Sequence, residues 1–374
     1  MSRIKTIVVG AGHLGRIHTR LANSLDIFDV VGVVDPSSEA RNQFQAELGI
    51  QGFESIDQVP ETFEAAIVAA PTGLHYPICQ SLLEQGTHVL VEKPITVTTD
   101  EAKELVELAD RSGAVLQVGH VERFNPAFEK LKEKVSHAKF IETRRMSEYT
   151  FRSTDVGVVL DLMIHDLDLI LSLVESDVKQ VDAVGISIMG EHEDIAQARL
   201  EYEDGAVAQL VASRCSFSRQ RTIQVFSDRS FAQADLTTRQ VQSIAPGDAM
   251  LSRAVDFLSM PAESQQQVRE TLFTEWLPKY EQTAPEQNAI LEEHKDFAES
   301  IVANRVPRVC GRQGSRALEV AHAVMDEIQG HHWYGESLPV SGPLAMPFPR
   351  LFNSGEFHPE EAHMPWVAQA RKAG

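Results

Sequence analysis

Apolar residues in the first 120 positions gather into short runs that amphipathic segments separate. The runs have the length of buried strands, and they lie at 4–9, 30–34, 65–70, 88–91 and 115–118. The segments between them have helical spacing, and they lie at 12–25, 37–48, 75–84 and 99–111. Strands that are buried on both faces and alternate with helices are typical of βαβ units. This part of the chain is therefore predicted to be an α/β domain with a doubly wound parallel sheet, which binds ligands at the carboxyl ends of its strands.

The pattern changes after about residue 138, where longer apolar stretches indicate a second set of strands. They lie at 140–149, 181–188, 196–202, 207–212 and 222–226. Glu203-Asp204-Gly205 is typical of a hairpin turn, so these strands are predicted to form a large, mainly antiparallel sheet in an α+β domain. Apolar positions with helical spacing predict helices at 158–174, 287–303 and 314–328.

Two further segments lack such periodicity. Residues 230–285 are polar and are predicted to be irregular, and the tail from 338 is rich in proline and is expected to be extended or partly disordered. We therefore divide the 374 residues into domains at 1–122 and 123–337 and a tail at 338–374. The helix at 314–328 is expected to pack back on the first domain.

The chain is acidic, with 54 acidic against 34 basic residues and a net charge of −20. Nucleic-acid partners are not expected, because a phosphate backbone attracts a basic surface. No run of roughly 18 apolar residues and no leader with a cleavage site is present, so neither a membrane span nor secretion is expected, and a cytoplasmic location is predicted. Cys79, Cys215 and Cys310 lie far apart without a CxxC pair, so neither a disulfide framework nor a zinc site is expected.

A glycine motif follows the first predicted strand. Gly10-Ala11-Gly12-His13-Leu14-Gly15 is a GxGxxG at the start of a helix, where glycines allow a tight turn and the helix N-terminus receives a pyrophosphate. Asp35 ends the second strand, where a carboxylate accepts hydrogen bonds from the adenosine ribose and repels a 2′-phosphate. The motif predicts a dinucleotide site that favours NAD over NADP. The alternative is a structural glycine turn with an aspartate cap.

A glutamate and a lysine stand at the end of another buried strand, in Glu92-Lys93-Pro94. Lys93 could hydrogen-bond the oxygen of a hydroxyl that is being oxidised and stabilise its negative charge. The alternative is a solvated lysine at a strand end.

The helix at 158–172 is apolar nearly all round, which predicts burial. Asp161, His165, Asp168 and Ser172 form one polar stripe along it. A carboxylate one turn from an imidazole suits proton transfer, because Asp161 could orient the ring and stabilise its cation. A hydrogen-bonded core pair and a metal site are the alternatives.

Taken together, these motifs make the chain resemble the Gfo/Idh/MocA family of oxidoreductases over residues 3–330. The GxGxxG, Ala70-Pro71-Thr72-Gly73-Leu74-His75, Glu92-Lys93-Pro94 and Asp161-x-x-x-His165 occur in the order of that family. The resemblance implies an N-terminal Rossmann domain and a C-terminal domain with a mainly antiparallel sheet whose open face forms a homodimer or homotetramer.

The resemblance also implies residue roles. Lys93, Asp161 and His165 would be the catalytic set, and Lys93 would also contact the cofactor. Pro71, Thr72 and His75 would line the dinucleotide site, Glu92 would lie near the nicotinamide ribose, and the Lys93–Pro94 peptide would be cis.

A narrower likeness is to family members that oxidise the 3-hydroxyl of UDP-N-acetylglucosamine. It rests on Val118-Gly119-His120-Val121-Glu122-Arg123-Phe124-Asn125-Pro126-Ala127 and on Asp155-Val156-Gly157-Val158-Val159. Arg123 and Asn125 could reach the substrate, as could Asp161, His165 and Lys93. Arg144 or Arg145 could bind a diphosphate, although strand alternation allows only one of the two to point inward.

The sequence thus predicts an NAD-dependent dehydrogenase of a secondary sugar hydroxyl, with a nucleotide sugar as the favoured substrate. Hydride would pass to nicotinamide, His165 would take the hydroxyl proton, and Lys93 would stabilise the oxygen. A dehydrogenase of a free sugar or inositol is the alternative enzyme. A non-catalytic dinucleotide-binding regulator is the alternative of another class.

Overall fold

A computed structural model describes residues 3–151, 156–252, 255–257, 259–333 and 340–345. Its first sheet has six parallel strands in the order β3-β2-β1-β4-β5-β6. The strands are β1 (Ile4–Val9), β2 (Phe28–Val34), β3 (Gly52–Phe53), β4 (Ala65–Val68), β5 (His88–Glu92) and β6 (Leu116–Gly119). The helices between them are α1 (His13–Asn23), α2 (Ser38–Leu48), α3 (His75–Glu84) and α4 (Thr99–Ser112). The strand order reverses between β1 and β4, so this is the Rossmann arrangement that the sequence predicted.

A second sheet has nine strands in the order β14-β13-β12-β11-β7-β10-β9-β8-β17. The strands are β7 (Ala138–Met146), β8 (Val178–Ser187), β9 (Ile195–Tyr202), β10 (Val207–Ser213), β11 (Gln220–Ser227), β12 (Phe231–Asp235), β13 (Gln240–Ile244), β14 (Lys279–Thr283) and β17 (Leu344–Ala345). Only the pairs β7–β10 and β8–β17 are parallel within the described ranges. The predicted turn at 203–205 joins β9 to β10, with Gly205 at φ +81°. The mainly antiparallel sheet is confirmed.

The prediction that residues 230–285 are irregular is wrong. They contain three strands of this sheet, β12, β13 and β14. The inward positions of β12 and β13 carry Ala232, Ala234, Val241 and Ser243, while their neighbours are mostly polar. Small inward residues hid the alternation that apolar ones would have shown. The segment also includes α7 (Asp248–Leu251) and α8 (Ala262–Glu270).

Helices cover the inner face of the second sheet. They include α5 (Pro126–Lys132), a π-helical turn at Val159–Met163 and α6 (Ile164–Leu171). The core between them and the sheet holds Phe128, Leu167, Leu200 and Ile223. The chain then passes through α9 (Ala289–Ala303) and α10 (Gly311–Gly330) to a short hairpin of β15 (His332–Trp333) and β16 (Val340–Ser341).

The last two long helices return to the first sheet. Phe297 of α9 is fully buried in one cluster with Ile4 and Val8, and Leu318 of α10 is buried with Val118. Residues of α9 and α10, far beyond position 122, thus complete the core of the first sheet. The division of the chain at residue 122 stays an interpretation of the sequence. Most of the proline-rich tail and Asp155 lie outside the described residues. No helix in the described ranges is long and apolar enough to cross a bilayer.

Candidate active site

The glycine motif forms a tight loop between β1 and α1. Gly10 has φ +105°, and a Cβ atom there would lie 2.5 Å from the Ala69 carbonyl oxygen. A Cβ on Gly15 would lie 1.9 Å from the Gly10 carbonyl oxygen, so the helix could not approach the loop. Gly12 is the N-cap of α1 and has no side chain to occupy the first amides of the helix. The loop therefore fits a pyrophosphate, which would bind at that N-terminus. His13 and Leu14 begin α1 and are exposed.

Asp35 follows β2 and lies beside this loop. Its Oδ2 accepts a hydrogen bond of 2.8 Å from the Ala11 amide, and its Oδ1 accepts one of 2.8 Å from the Ser37 amide. Two backbone donors thus fix the carboxylate next to the glycines. The position suits the adenosine ribose, as the sequence indicated.

Residues after β4 lie on the other side of β1 from Asp35. Pro71 is exposed, and Thr72 is partly buried at the start of a short helical turn, Thr72–Leu74. His75 is buried, and its Nδ1 and Nε2 lie 2.9 Å and 2.8 Å from the carbonyl oxygens of Pro94 and Ala70. Its ring therefore ties the end of β4 to the segment after β5. A direct contact with the cofactor stays a prediction for all three residues.

Lys93 connects the two sheets. It follows β5, the Lys93–Pro94 peptide is cis, and Nζ donates a hydrogen bond of 2.7 Å to the backbone carbonyl oxygen of Asp161. The Asp161 carboxylate lies 3.9 Å from the same nitrogen. Burial lowers the pKa of Lys93, although the charges of Asp161 and Glu92 oppose this effect. A lysine of the Rossmann sheet thus meets the helix that carries the predicted proton acceptor.

The helix with Asp161 and His165 begins with the π-helical turn, which the apolar spacing did not predict. A π turn is wider than an α turn, so residues four apart in it are not stacked as in a regular helix. His165 Nδ1 is buried and has no hydrogen-bond partner among the described residues, and Asp161 faces Lys93. No hydrogen bond joins Asp161 to His165 in the described part of the chain, and the orienting role of Asp161 stays a prediction.

The electrostatic surroundings of His165 favour its neutral form. Burial, followed by the positive charges of Lys93 and Arg145, lowers the pKa of His165 well below its ordinary value of 6.5. A neutral imidazole can accept a proton near neutral pH, which a charged one cannot.

The other members of the polar stripe have structural partners. Asp168 pairs with Arg123 at 3.2 Å, and the Ser172 hydroxyl donates to the Leu169 carbonyl oxygen at 2.7 Å. Only the first two members of the stripe lie near Lys93, so the stripe is functional at most in its first half.

His120 lies next to this group, and sequence reasoning did not assign it a role. Gly119 pairs with Glu92 across the sheet, so His120 follows β6 beside Lys93. The ring is buried, lies 6.5 Å from the His165 ring between centroids, and is perpendicular to it. Neither ring nitrogen has a hydrogen-bond partner in the described part of the chain. Its place after a strand next to β5 was the available signal.

The side chains predicted to bind substrate are mostly engaged elsewhere. Arg123 is buried against Asp168, and Asn125 caps α5 by accepting from the Ala127 amide and also donates to Glu122. Arg145 is buried while Arg144 is exposed, which confirms that the two point to opposite faces of the strand. Substrate contact stays a prediction that nothing in the surroundings of these residues supports.

Arg145 is the centre of a buried ion cluster. It donates to Asp166 through Nε at 2.9 Å and Nη2 at 2.7 Å, and to Glu122 through Nη1 at 2.9 Å. Arg221 adds a contact with Glu122 at 3.2 Å. Burial raises the pKa of Asp166 despite Arg145. Burial also opposes ionisation of Glu122, but Arg145, Arg221 and Asn125 together outweigh it and lower the pKa of that carboxyl. The cluster holds the site helix against β7.

Metal chemistry has no visible ligand set here. Groups of three or more His, Cys, Asp or Glu side chains arranged to hold an ion are not found in the residues that the structure describes.

The site combines a glycine cradle at a helix N-terminus, a fixed carboxylate after β2, and a lysine and a neutral histidine between the two sheets. These features define a dinucleotide-binding oxidoreductase. Family models agree: an oxidoreductase family with an NAD-binding Rossmann fold matches residues 4–120, and a GFO/IDH/MocA C-terminal domain matches residues 130–231. The chain belongs to the Gfo/Idh/MocA family.

Individual relatives are similar over most of their length. The UDP-N-acetylglucosamine 3-dehydrogenase of Acidithiobacillus ferrooxidans is 34% identical over 63% of this chain and 75% of its own. A solved structure of that enzyme has a TM-score of 0.77 with 29% identity, covering 87% of this chain and 98% of that one. A scyllo-inositol 2-dehydrogenase (NAD(+)) of Bacillus subtilis is 28% identical over 57% of this chain and 68% of its own.

Proposed function

We propose that the chain is an NAD-dependent dehydrogenase of a secondary sugar hydroxyl, and that its substrate is a nucleotide sugar such as UDP-N-acetylglucosamine. The observation that carries this proposal is the 2.7 Å hydrogen bond from Lys93 to the helix of His165, at the carboxyl end of β5. Ligands of a Rossmann sheet bind at that end. When bound, nicotinamide supplies the hydride acceptor.

In this mechanism His165 takes the proton of the hydroxyl through Nε2, because Nδ1 is buried. Lys93 hydrogen-bonds the same oxygen and stabilises its developing negative charge. Asp161 contributes its carbonyl and carboxylate to hold Lys93 in place. The three residues are only partly exposed, which strengthens each interaction relative to open solvent.

The choice of NAD over NADP rests on Asp35. Its carboxylate is fixed by two amides where a 2′-phosphate would lie, so it repels that phosphate and accepts from a free ribose hydroxyl. Gly10, Gly12 and Gly15 would hold the pyrophosphate.

The nucleotide-sugar assignment draws on the likeness to the Acidithiobacillus enzyme. A free sugar or inositol is the second candidate, because Arg123 and Arg145 are already paired and Arg144 lies on the opposite face. A diphosphate would therefore need other cationic partners.

We further propose a homo-oligomer formed through the outer face of the second sheet. Phe140, Phe226 and Phe231 form a partly exposed aromatic cluster there, with ring centroids 5.5 Å and 4.8 Å apart. Light scattering of the purified chain tests this, and a monomer at all concentrations would contradict it.

A substrate panel tests the activity. UDP-sugars, free N-acetylglucosamine and inositols are each mixed with NAD, and the absorbance of reduced nicotinamide is followed. Oxidation of a UDP-sugar alone supports the proposal, while faster oxidation of an inositol or free sugar supports the second candidate. No turnover with any of them, with folded protein, would contradict both.

A further inference from the structure

Two buried histidines form a row of contacts that begins at Glu92, and the mechanism above does not use them. His18 of α1 has its Nε2 2.7 Å from Glu92 Oε1, and its Nδ1 lies 2.8 Å from Nε2 of His294 of α9. Their exposed fractions are 1% and 0%. The row joins an end of the Rossmann sheet to a helix that comes almost 200 positions later in the chain.

The chemistry of the three groups gives this row a direction. Burial opposes ionisation of Glu92, but His18 and Lys93 together outweigh it and lower the pKa of the carboxyl. A carboxylate only accepts, so His18 must donate through Nε2. Burial lowers the pKa of His294 well below its ordinary value, so this ring carries one N–H. Because its Nε2 lies 2.8 Å from Nδ1 of His18, His294 can donate this N–H to His18.

Glu92 is held on its other side as well. Its Oε2 accepts from the Lys93 amide at 3.2 Å, and 14% of its side chain is exposed. Part of the Glu92 side chain is therefore still accessible.

We propose that His18 and His294 are positioning residues that orient the Glu92 carboxylate toward the nicotinamide ribose. This rests on the proposed function, in which NAD binds with its nicotinamide end beside Lys93. The N–H of His294 supports the His18 ring in the orientation that donates to Glu92. Without His294, the buried Nδ1 of His18 loses its hydrogen-bond partner, so the ring is held less firmly and the carboxylate loses its fixed orientation.

Three substitutions at position 294 separate this role from packing. The amide nitrogen of Gln reaches about as far as the histidine Nε2, whereas that of Asn reaches only as far as Nδ1. His294→Gln should keep the donor, and His294→Asn and His294→Leu should lose it. Binding of NAD and of ADP, which lacks the nicotinamide ribose, is measured by calorimetry for each variant.

We expect about a tenfold weaker binding of NAD by the Asn and Leu variants, the scale of one hydrogen bond to a charged group. ADP binding should stay within about twofold, and the Gln variant should resemble the unmodified chain. NAD and ADP weakened alike would indicate a packing role and overturn the inference. NAD affinity unchanged in all three variants would also overturn it.

The variant Glu92→Gln tests whether the effect of His294 on NAD binding acts through Glu92. With Glu92→Gln in place, His294→Leu should no longer weaken NAD binding, because the two residues act as a unit. Additive losses would contradict the inference. Failure of the unmodified chain to bind NAD would overturn both this inference and the proposed function. Intact NAD binding without any sugar oxidation would overturn the proposed function alone.

Discussion

Arg145→Met distinguishes a structural arginine from one that binds substrate. The Arg145 side chain is 2% exposed, and those of its partners Glu122 and Asp166 are 8% and 5% exposed. The substitution keeps most of the aliphatic volume but removes the three hydrogen bonds that the guanidinium donates to these carboxylates. Arg221 still contacts Glu122, so Asp166 is the group left without a partner.

The expected loss follows from this geometry. Breaking a buried ion pair by removing one partner costs about 3–5 kcal/mol, because the other charge stays buried. Burial already raises the pKa of Asp166, so the carboxyl can take a proton in the variant, which favours the lower end of that range. The deficit should therefore grow as pH rises, since the unfolded state then releases a proton that the folded state retains.

Urea denaturation at pH 5.5 and pH 8 measures this loss. Arg144→Met is the matched control, because its side chain lies on the opposite, exposed face of the same strand and should change the free energy of unfolding by less than about 0.5 kcal/mol. Adding Asp166→Asn to Arg145→Met should recover part of the loss, because it removes the stranded charge.

A different outcome would refute this reasoning. If Arg145→Met unfolds within about 1 kcal/mol of the unmodified chain and selectively loses a UDP-sugar, the guanidinium serves the substrate rather than the fold. A deficit that does not depend on pH would show that Asp166 is not the group left unpaired.

Four other changes test the site. Lys93→Met and His165→Asn should each lower the oxidation rate about 100-fold or more in steady-state assays while NAD still binds. A rate within a few-fold of that of the unmodified chain would contradict the proposed roles of Lys93 and His165. The lowered pKa of His165 places the rise of rate with pH below its ordinary value of 6.5, which a pH–rate profile of kcat/KM checks. Asp35→Ser should weaken the binding of NAD and reduce the difference between the affinities for NAD and NADP in binding titrations. Equal affinities of the unmodified chain for NAD and NADP would refute the assignment of NAD as the preferred cofactor. Burial raises the pKa of Glu293, and its carboxyl oxygens have no hydrogen-bond partner in the described ranges. The gain in thermal stability of Glu293→Gln over the unmodified chain should therefore be larger at pH 8 than at pH 5.5. An equal gain at both pH values would contradict a protonated Glu293.

Much of the first sheet could be predicted because its signals are local. Strands such as Ala65–Val68 are apolar at every position, and α3 begins and ends where the sequence placed it, at His75–Glu84. The family resemblance grouped Lys93 with Asp161 and His165, but it did not predict the hydrogen bond from Lys93 to the Asp161 carbonyl oxygen. The cis Lys93–Pro94 peptide followed from family resemblance alone.

The rest depended on tertiary structure. Helical periodicity does not distinguish a π turn from an α turn, so the π turn at Val159–Met163 was not predicted. Nor does a single sequence show which acid neutralises an arginine, and the partners of Arg123 and Arg145 are far away along the chain. His18 lay three residues after the glycine motif, but its link to His294 depends on a helix that packs back from residue 289 onward.

These contacts mean that the two halves of the site are not independent modules. Lys93 belongs to the Rossmann sheet but is held by Asp161 of the second domain, and Glu92 reaches His294 through His18. In the proposed function, the cofactor end of the site therefore depends on residues beyond 122, and the proposed proton acceptor, His165, depends on the charge of a Rossmann lysine. A ligand that orders either half should favour the arrangement of the other, since both share Lys93 and Glu92 at the end of one strand.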